Sequence, residues 1–590
     1  MLKLSVCNSA VFIIKEDRKM RKMKLVAIAS ILALLISTAS AFACTGMYVG
    51  KDVSADGTTI IARSEDQRGG AYNKMFKVQK RVTKAGRYLT DEGTGFKVKL
   101  PKTTYKYTYV PDSSDANDGQ YFASCTNEYG VAVVGTVSTG VCEEYEALDP
   151  TTEYNNGLRE AILPGLIACQ SKTAKEAAEV CAKYHDEYGS AEYNTLLFSD
   201  QNETWVFENY GGHSYCAMKL PTDKVAVFGN QIMIEWVDPA DTSGDYIYSD
   251  NLFECLDKLK SPVKENGKYH LAKSIDGSRS KGSNLRNWEG LRVLAGDEAA
   301  GEFSVETFYP FLYTPSEKVS VLDIMNLYRD RLAGTDYDKN IAGNEGNRAI
   351  GVTTSSDIHI IQTYSDLPAD TCQLQWLAMG NAEHSVFIPA FSGITDTASA
   401  YKVDGSAYDS SSAWWKFKRN ATLAQANRQF LSAGTKDFWK AQEESEYAKI
   451  QSELKNVTKA YKKSKTAGRA YVTKLANSMA TTQFNNADVL YKALMYTATD
   501  NDNDRANNSG KSTFVKPVKL VSAAKAAGYT VKISGTKYTL TKDGVTYTLL
   551  KNSKGVHKNG VYATDLTYPV YKSHGTTYIP ADFAESLAEA

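Results

Sequence analysis

The sequence lacks an excess of either charge, because its 68 Lys and Arg residues equal its 68 Asp and Glu residues. Nucleic-acid binding depends on clustered Lys and Arg, so this balance excludes DNA or RNA as the main partner. Nine cysteines among 590 residues are too few for a disulfide scaffold. The seven histidines are scattered, without an H-E-x-x-H motif. We therefore expect no metal site and no cofactor.

The remaining composition is that of a globular protein, with 43% hydrophobic and 23% charged residues. At roughly 100–200 residues per domain, the chain is long enough for about three to five structural units. Only one long apolar run is present, near the start of the chain. We therefore expect no stable membrane span in the rest of the protein.

Residues 1–43 have the three parts of a secretory signal peptide. A basic stretch between Arg18 and Lys24 is followed by the apolar run Leu25–Ile36 and by small residues that end in Ala41-Phe42-Ala43. The apolar run is shorter than the ~20 residues that a membrane helix needs. The sequence therefore predicts bacterial export, with the mature protein secreted, periplasmic or attached to the cell surface.

Cleavage after Ala43 makes Cys44 the first residue of the mature chain. Its thiol then lies beside a free α-amino group, whose pKa of about 7.7–8.0 lets it act as a base near neutral pH. A terminal cysteine thus carries nucleophile and base on one residue. Two alternatives remain open: a lipid-modified lipoprotein cysteine, although Ala41 stands where such signals usually have Leu, and a buried structural cysteine.

The residues after Cys44 predict a β-hairpin that turns at Asp56-Gly57. This hairpin brings Arg63 and Asp66 back toward Cys44. A guanidinium there favours the thiolate and lowers the proton affinity of the amine, and a carboxylate can orient the amine. The alternative is an Arg–Asp pair that only braces the end of a strand.

Several short blocks carry a resemblance to a known family. They are Cys44-Thr-Gly, Ser54-x-Asp56-Gly57-Thr, Ala62-Arg63-Ser64-Glu65-Asp66, Asn127-Glu128-Tyr129-Gly130, Glu203-Thr204-Trp205, Gly229-Asn230-Gln231, His359 with Gln362, and Ser412-Ala413-Trp414-Trp415. In this order they resemble bacterial secreted dipeptidases of the dipeptidase A type. Those enzymes are cysteine N-terminal-nucleophile hydrolases related to penicillin V acylase and bile salt hydrolase. The resemblance covers roughly residues 44–495.

The resemblance implies roles for individual residues. Cys44 would be the nucleophile, Arg63 and Asp66 the charged pair beside it, and Asn230 an oxyanion donor. For Asn230 taken alone, the sequence favours a turn residue that ends a strand. Related acylases use a later arginine as well, and the sequence does not decide between Arg286 and Arg292. The implied fold is α+β, the four-layer αββα fold of N-terminal-nucleophile hydrolases.

The domain organisation follows from composition and periodicity. Residues 44–414 form the predicted hydrolase domain, and 415–499 a helical extension in which apolar residues recur at spacings of three and four. Residues 500–516 form a polar linker. Residues 517–590 form a small α+β module, weakly similar to stalk-like surface repeats, for which we expect a non-catalytic role in cell-surface attachment.

The predicted function is a secreted cysteine dipeptidase that acts on dipeptides or short peptides. Two alternatives stay open: a related acylase that cuts a non-peptide amide with the same Cys44 chemistry, and a non-enzymatic lipoprotein or surface-binding protein. The sequence leaves the side-chain preference, the residues that hold the substrate termini and a homo-oligomeric state undecided.

Overall fold

The computed structural model describes residues 44–67, 73–116, 119–503 and 511–590. The predicted signal peptide, residues 1–43, and residues 504–510 of the predicted linker lie outside these ranges. Within them, no helix combines the length and the apolar character that a membrane crossing requires.

The centre of the protein contains a six-stranded sheet in which every neighbouring pair is antiparallel. In spatial order its strands are Val225–Phe228, Thr45–Val49, Thr59–Asp66, Ser355–Thr363, Gln373–Met379 and Phe387–Phe391. The predicted hairpin is confirmed, because Thr45 pairs with Ser64 and Gly46 with Arg63. Arg63 is also opposite His359 on the next strand.

A second antiparallel sheet has eight strands. In spatial order they are Tyr246–Tyr248, Tyr215–Lys219, Thr204–Asn209, Asn194–Ser199, Ala132–Ser138, Phe122–Asn127, Tyr107–Pro111 and Lys77–Gln79. Side chains of the six-stranded sheet bond to this sheet and its turns: Gln375 donates to Ser124 Oγ at 3.2 Å, and Gln373 to O of the turn residue Gly130 at 2.7 Å. The two sheets therefore pack against each other.

Helices pack against both sheets. The helices of the described residues are Glu143–Glu146, Leu163–Ala168, Ala174–Tyr188, Leu252–Lys258, Leu271–Ile275, Lys281–Ala295, Asp297–Ala300, Val321–Leu327, Ala413–Ala426, Arg428–Lys463, Lys465–Asn503, Leu520–Ala526 and Ala581–Glu589. Leu163–Ala168 and Ala174–Tyr188 share an apolar core with the eight-stranded sheet. Lys281–Ala295 packs on Val225–Phe228 at the edge of the other sheet.

Short strands complete the larger part of the protein. Val82–Thr83 pairs with Thr103–Thr104, Tyr88–Thr90 with Lys97–Lys99, and Lys268–His270 with both Trp236–Val237 and Lys264–Glu265. Side-chain caps explain where several helices begin. Ser280 accepts the backbone N–H of Ser283, and Ser320 and Asp323 form a reciprocal capping box.

Three helices that begin at Ala413, Arg428 and Lys465 share an apolar core with the six-stranded sheet. Trp414 donates its indole N–H to Ser356 O at 3.0 Å. Arg329 and Glu443 form a buried ion pair at 2.6 Å. The last helix continues to Asn503, so residues 500–503 of the predicted linker are helical.

The C-terminal residues form a three-stranded sheet (Pro517–Lys519, Thr576–Pro580, Tyr571–Ser573) and a five-stranded sheet (Thr530–Ser534, Lys537–Lys542, Val545–Leu550, Gly555–Lys558, Val561–Asp565). The predicted hairpin at Asp543-Gly544 is present, with positive φ at both residues. This unit has its own apolar core. It also contacts the long helix, since Tyr571 Oη donates to Val489 O at 2.8 Å.

Gly290 fixes how closely the helix Lys281–Ala295 approaches the sheet. A Cβ at this position would stand 2.2 Å from Val227 Cβ, which is closer than side-chain atoms pack. We predict that Gly290→Ala lowers the free energy of unfolding by about 1–3 kcal/mol, measured by denaturant titration. If the clash is the cause, Val227→Gly, which removes that Cβ, combined with Gly290→Ala costs less than the two single changes summed. Strict additivity would contradict this explanation.

Candidate active site

Cys44 lies directly before the strand Thr45–Val49 and is fully buried. The backbone around it is fixed at two points. Thr45 donates its N–H to Ser64 Oγ at 3.2 Å, and Thr45 O accepts from Tyr328 Oη at 3.2 Å. The hairpin and a residue from a distant helix end therefore hold the start of this strand in place.

Arg63 makes a direct polar contact with the Cys44 side chain. Its Nη2 lies 3.1 Å from Cys44 Sγ and 3.1 Å from Tyr121 Oη, and its Nη1 lies 3.5 Å from Glu65 Oε2. All four side chains are buried. A guanidinium in this position stabilises a negative charge on the sulfur.

Burial raises the pKa of the Cys44 thiol to about 11, because a thiolate is poorly solvated inside the protein. Arg63 acts in the opposite direction and lowers this pKa, whereas the carboxylates of Asp66 and Glu160 raise it. A hydrogen bond with the Asp66 backbone also lowers it. At neutral pH the resting residue is therefore a thiol, and its proton must leave during attack on a substrate.

Asp66 is held by side chains from three parts of the chain. It accepts hydrogen bonds from Ser64 Oγ at 3.0 Å and from Ser355 Oγ, and it forms an ion pair with Arg348. Its backbone contacts the Cys44 sulfur, but its carboxylate is bound to these other groups. The structure thus brings Asp66 to the site and fixes it rigidly there.

Arg286 joins Cys44 to Asn230. The guanidinium donates to Cys44 O, to Thr45 Oγ1 at 3.3 Å and to Asn230 Oδ1 at 2.9 Å. Asn230 follows the strand Val225–Phe228 and donates from Nδ2 to Ser138 O at 2.9 Å. Burial, and then the nearby Arg348, lower the pKa of Arg286.

Arg292 lies elsewhere on the same helix. It bonds to Glu289 at 2.8 Å and to Asp297 at 3.3 Å, and its side chain is partly exposed. Of the two arginines that the sequence left open, the structure therefore places Arg286 at Cys44.

A buried ionic cluster lies behind Arg63, and sequence reasoning did not find it. Lys74 Nζ contacts Glu65 at 2.7 Å, Asp357 at 3.8 Å and also Asp112. Asp357 in turn accepts from His359 Nδ1 at 2.9 Å. The only signal in the sequence was indirect: charged residues inside strands that are otherwise apolar, as in Thr59–Asp66 and Ser355–Thr363. This cluster fixes the orientation of Glu65, the partner of Arg63.

Tyr121, Ser138, Glu160 and Tyr328 also surround the site, and nothing in their local sequence indicated this. They come from segments that are remote in sequence, so only the fold brings them together. Among the described residues, no group of three or more His, Cys, Asp or Glu side chains is placed to hold a metal ion.

Comparison with known proteins gives a family match. Residues 43–441 match the model of peptidase family C69. The chain is 30% identical over 413 residues to a protein named probable dipeptidase B from Streptococcus pyogenes serotype M1, covering 68% of this chain and 82% of that protein. It is 29% identical over 414 residues to a probable dipeptidase from Latilactobacillus sakei, covering 69% and 86%.

Among solved structures, a mutant conjugated bile acid hydrolase from Clostridium perfringens aligns with 11% sequence identity and a TM-score of 0.25. The alignment covers 59% of this chain and 92% of that structure.

Proposed function

Since the chain belongs to peptidase family C69 and is a cysteine-type peptidase that hydrolyses peptide bonds, we propose that it is a secreted dipeptidase with Cys44 as its N-terminal nucleophile. Curated relatives about 30% identical are named dipeptidases, which supports the substrate class. The observation that carries the assignment of the nucleophile is the 3.1 Å contact between Arg63 Nη2 and Cys44 Sγ.

The high pKa of the Cys44 thiol requires a base close to it. Removal of residues 1–43 supplies that base as the α-amino group of Cys44 itself. In the proposed first step, the sulfur attacks the peptide carbonyl while the amine takes the thiol proton. Arg63 stabilises the negative charge that develops on the sulfur before the C–S bond is complete.

The attack moves negative charge onto the carbonyl oxygen of the substrate. We assign the side-chain amide of Asn230 as a donor to this oxyanion, since Arg286 and Ser138 fix its orientation. Collapse of the intermediate breaks the C–N bond, and the α-ammonium returns its proton to the leaving amine. Water then cleaves the thioester and regenerates Cys44, with the α-amine again acting as base.

We also propose that the fold is the four-layer αββα arrangement of N-terminal-nucleophile hydrolases. Two sheets that pack against each other, each with helices packed against it, support this arrangement. Export by the signal peptide supplies the free Cys44, so secretion and activation are one event. We propose that the C-terminal module, residues 517–590, attaches the protein to the cell surface.

The proposal predicts where the mature chain begins. N-terminal sequencing of the exported protein is expected to start at Cys44, and its intact mass is expected to show no lipid. Any other first residue, or a lipidated cysteine, would contradict the mechanism. The measurement also separates the enzyme from a lipoprotein, because lipidation blocks both the sulfur and the amine.

A substrate panel separates the dipeptidase from an acylase with the same nucleophile. We expect kcat/KM for unmodified dipeptides to exceed that for penicillin V and for conjugated bile salts. The opposite order would assign the protein to the acylases while leaving Cys44 as nucleophile. Activity on none of these substrates would contradict both.

A further inference from the structure

A cavity of about 190 Å³ lies between the eight-stranded sheet and the helix Leu163–Ala168. Tyr107, Tyr109 and Phe122 line it from the sheet, and Gly165 lines it from the helix. Of the described residues, none that we assign to the candidate active site lines this cavity. It is therefore a separate space, to which the proposed reaction gives no use.

The cavity and the candidate active site lie on opposite sides of one sheet. Tyr121 accepts a hydrogen bond from Arg63 at 3.1 Å and belongs to the apolar core of the six-stranded sheet. Phe122, the next residue, belongs to the core that the eight-stranded sheet shares with its helices. Successive side chains of an extended chain point to opposite faces. A ligand beside Phe122 is thus separated from Arg63 by the sheet.

Three aromatic rings form a continuous wall of the cavity. The ring centroids of Tyr107 and Tyr109 lie 5.6 Å apart, and those of Tyr109 and Phe122 lie 5.3 Å apart. Leu89 and Leu100 add aliphatic surface. An engineered apolar cavity of roughly 150 Å³ holds a benzene molecule. This cavity is therefore large enough for an organic ligand with a body the size of one ring.

A positive charge, Arg87, lies at the partly exposed end of the cavity. Arg87 and Gln120 are half-buried, whereas Phe122 and Cys169 are buried, so the cavity opens toward solvent on the side of Arg87. The guanidinium Nη2 donates to Thr104 Oγ1 at 2.7 Å and Nε donates to a backbone carbonyl at 3.1 Å. Both acceptors are neutral oxygens. In the part of the chain that the structure describes, no Asp or Glu lines this cavity.

The charge of Arg87 acts on the interior of the cavity. Burial raises the pKa of the Cys169 thiol to about 12, and Arg87 opposes this rise. Burial also raises the pKa of Tyr107, and Arg87 again acts in the opposite direction. A negative charge inside the cavity is therefore favoured by Arg87, and no lining carboxylate repels it.

We propose that this cavity binds a small carboxylate with an apolar body the size of one ring. The carboxylate accepts from Arg87, and the body packs on the wall of Tyr107, Tyr109 and Phe122. An ammonium group on the ligand would find no counter-charge among the lining residues, so we expect an acid without an amino group to bind more tightly than an amino acid. The inference does not depend on the proposed dipeptidase function, because binding requires no turnover.

The test titrates the mature chain with 3-phenylpropionate, with its neutral amide and with phenylalanine, followed by ligand-observed NMR. We expect the acid to bind with a Kd on the order of 0.1–1 mM, and the other two ligands to bind more weakly. Arg87→Gln is expected to raise the Kd of the acid about 10-fold or more and to leave the amide unchanged. Arg87→Lys keeps the charge and should retain part of the affinity.

Arg81→Gln is the matched control, because Arg81 is an exposed arginine six residues earlier that does not line the cavity. It should change no Kd. Gln120→Glu is an independent variant that keeps Arg87 and adds a carboxylate to the lining, so it should weaken binding of the acid and not of the amide.

Equal affinity for the acid and the amide would overturn the inference. Unchanged binding of the acid in folded Arg87→Gln would place the ligand elsewhere and overturn it as well, and so would unchanged binding of the acid in Gln120→Glu. Phenylalanine that binds as tightly as the acid, and that loses affinity in Arg87→Gln, would support the carboxylate site and identify free amino acids as its ligands.

Discussion

Replacing Cys44 with alanine in the mature chain is expected to abolish dipeptide hydrolysis, with kcat falling on the order of 10⁴-fold or more. The sulfur forms the only covalent bond to the substrate in the proposed mechanism, and alanine has no nucleophilic atom. Initial rates on a dipeptide at saturating concentration, followed by release of free amino acids, measure the loss. Thermal unfolding should change little, because alanine keeps the Cβ and removes only one buried atom.

Cys255→Ala is the control for this experiment. Cys255 is another buried free thiol, on the helix Leu252–Lys258, and the groups that act on its pKa, chiefly Asp149 and Ser214, lie outside the catalytic centre. Its replacement should leave kcat unchanged. Residual activity near the wild-type rate in Cys44→Ala, with normal folding, would show that a different residue attacks the substrate.

The sequence predicted those parts of the fold that depend on local pattern. The hairpin at Asp56-Gly57 follows from its turn residues, and it alone places Arg63 near Cys44. The long helices after Ala413 follow from apolar residues spaced three and four apart, of which Ile450 and Val457 are buried. In each case the residues that determine the local structure lie within one continuous segment.

Tertiary contacts determine where the helix Val321–Leu327 ends. Apolar residues continue beyond it as far as Leu332, but the helix does not. Arg329 turns away to bond Ala382 O at 2.8 Å and Glu443, and Leu332 has a φ of +65°. The bonds to Glu443 and Ala382 O hold Arg329 outside the helix. Tyr328, the residue that caps this helix, donates its Oη to Thr45 O at 3.2 Å.

The sequence predicted only part of the candidate active site, because several of its contacts join residues that are far apart in the chain. Cys44, Arg63 and Asp66 lie within one hairpin, so spacing could bring them together. The contact between Arg286 and the Cys44 carbonyl joins residues 242 positions apart in the sequence. Neither turn residues nor apolar periodicity can indicate a contact between residues so far apart. Both Arg286 and Arg292 are on the helix Lys281–Ala295, and only Arg286 faces the sheet edge. The choice between them therefore depends on how this helix packs against the sheet, which the sequence does not show.

Adding a single glycine before Cys44 is expected to lower kcat/KM by about 10²- to 10⁴-fold, the usual contribution of a positioned general base. The extension leaves the thiol, Arg63 and Arg286 unchanged but converts the amine of Cys44 into an amide, which cannot take a proton. The new amine is displaced by one residue, about 3.8 Å between Cα atoms. Burial holds the thiol pKa near 11, so little thiolate forms at neutral pH without that base.

The comparison needs two chains made in the same way, one released with Cys44 first and one with glycine first. In the Cys44-first chain, kcat/KM should rise with pH as the α-amine loses its proton near its ordinary pKa of about 7.7–8.0, because only the neutral amine accepts the thiol proton. In the glycine-first chain, that rise should disappear together with the rate. An extended chain that keeps both the rate and the pH profile would mean that the thiol proton goes to a side chain, and Asp66 or Glu160 would then become the base to test.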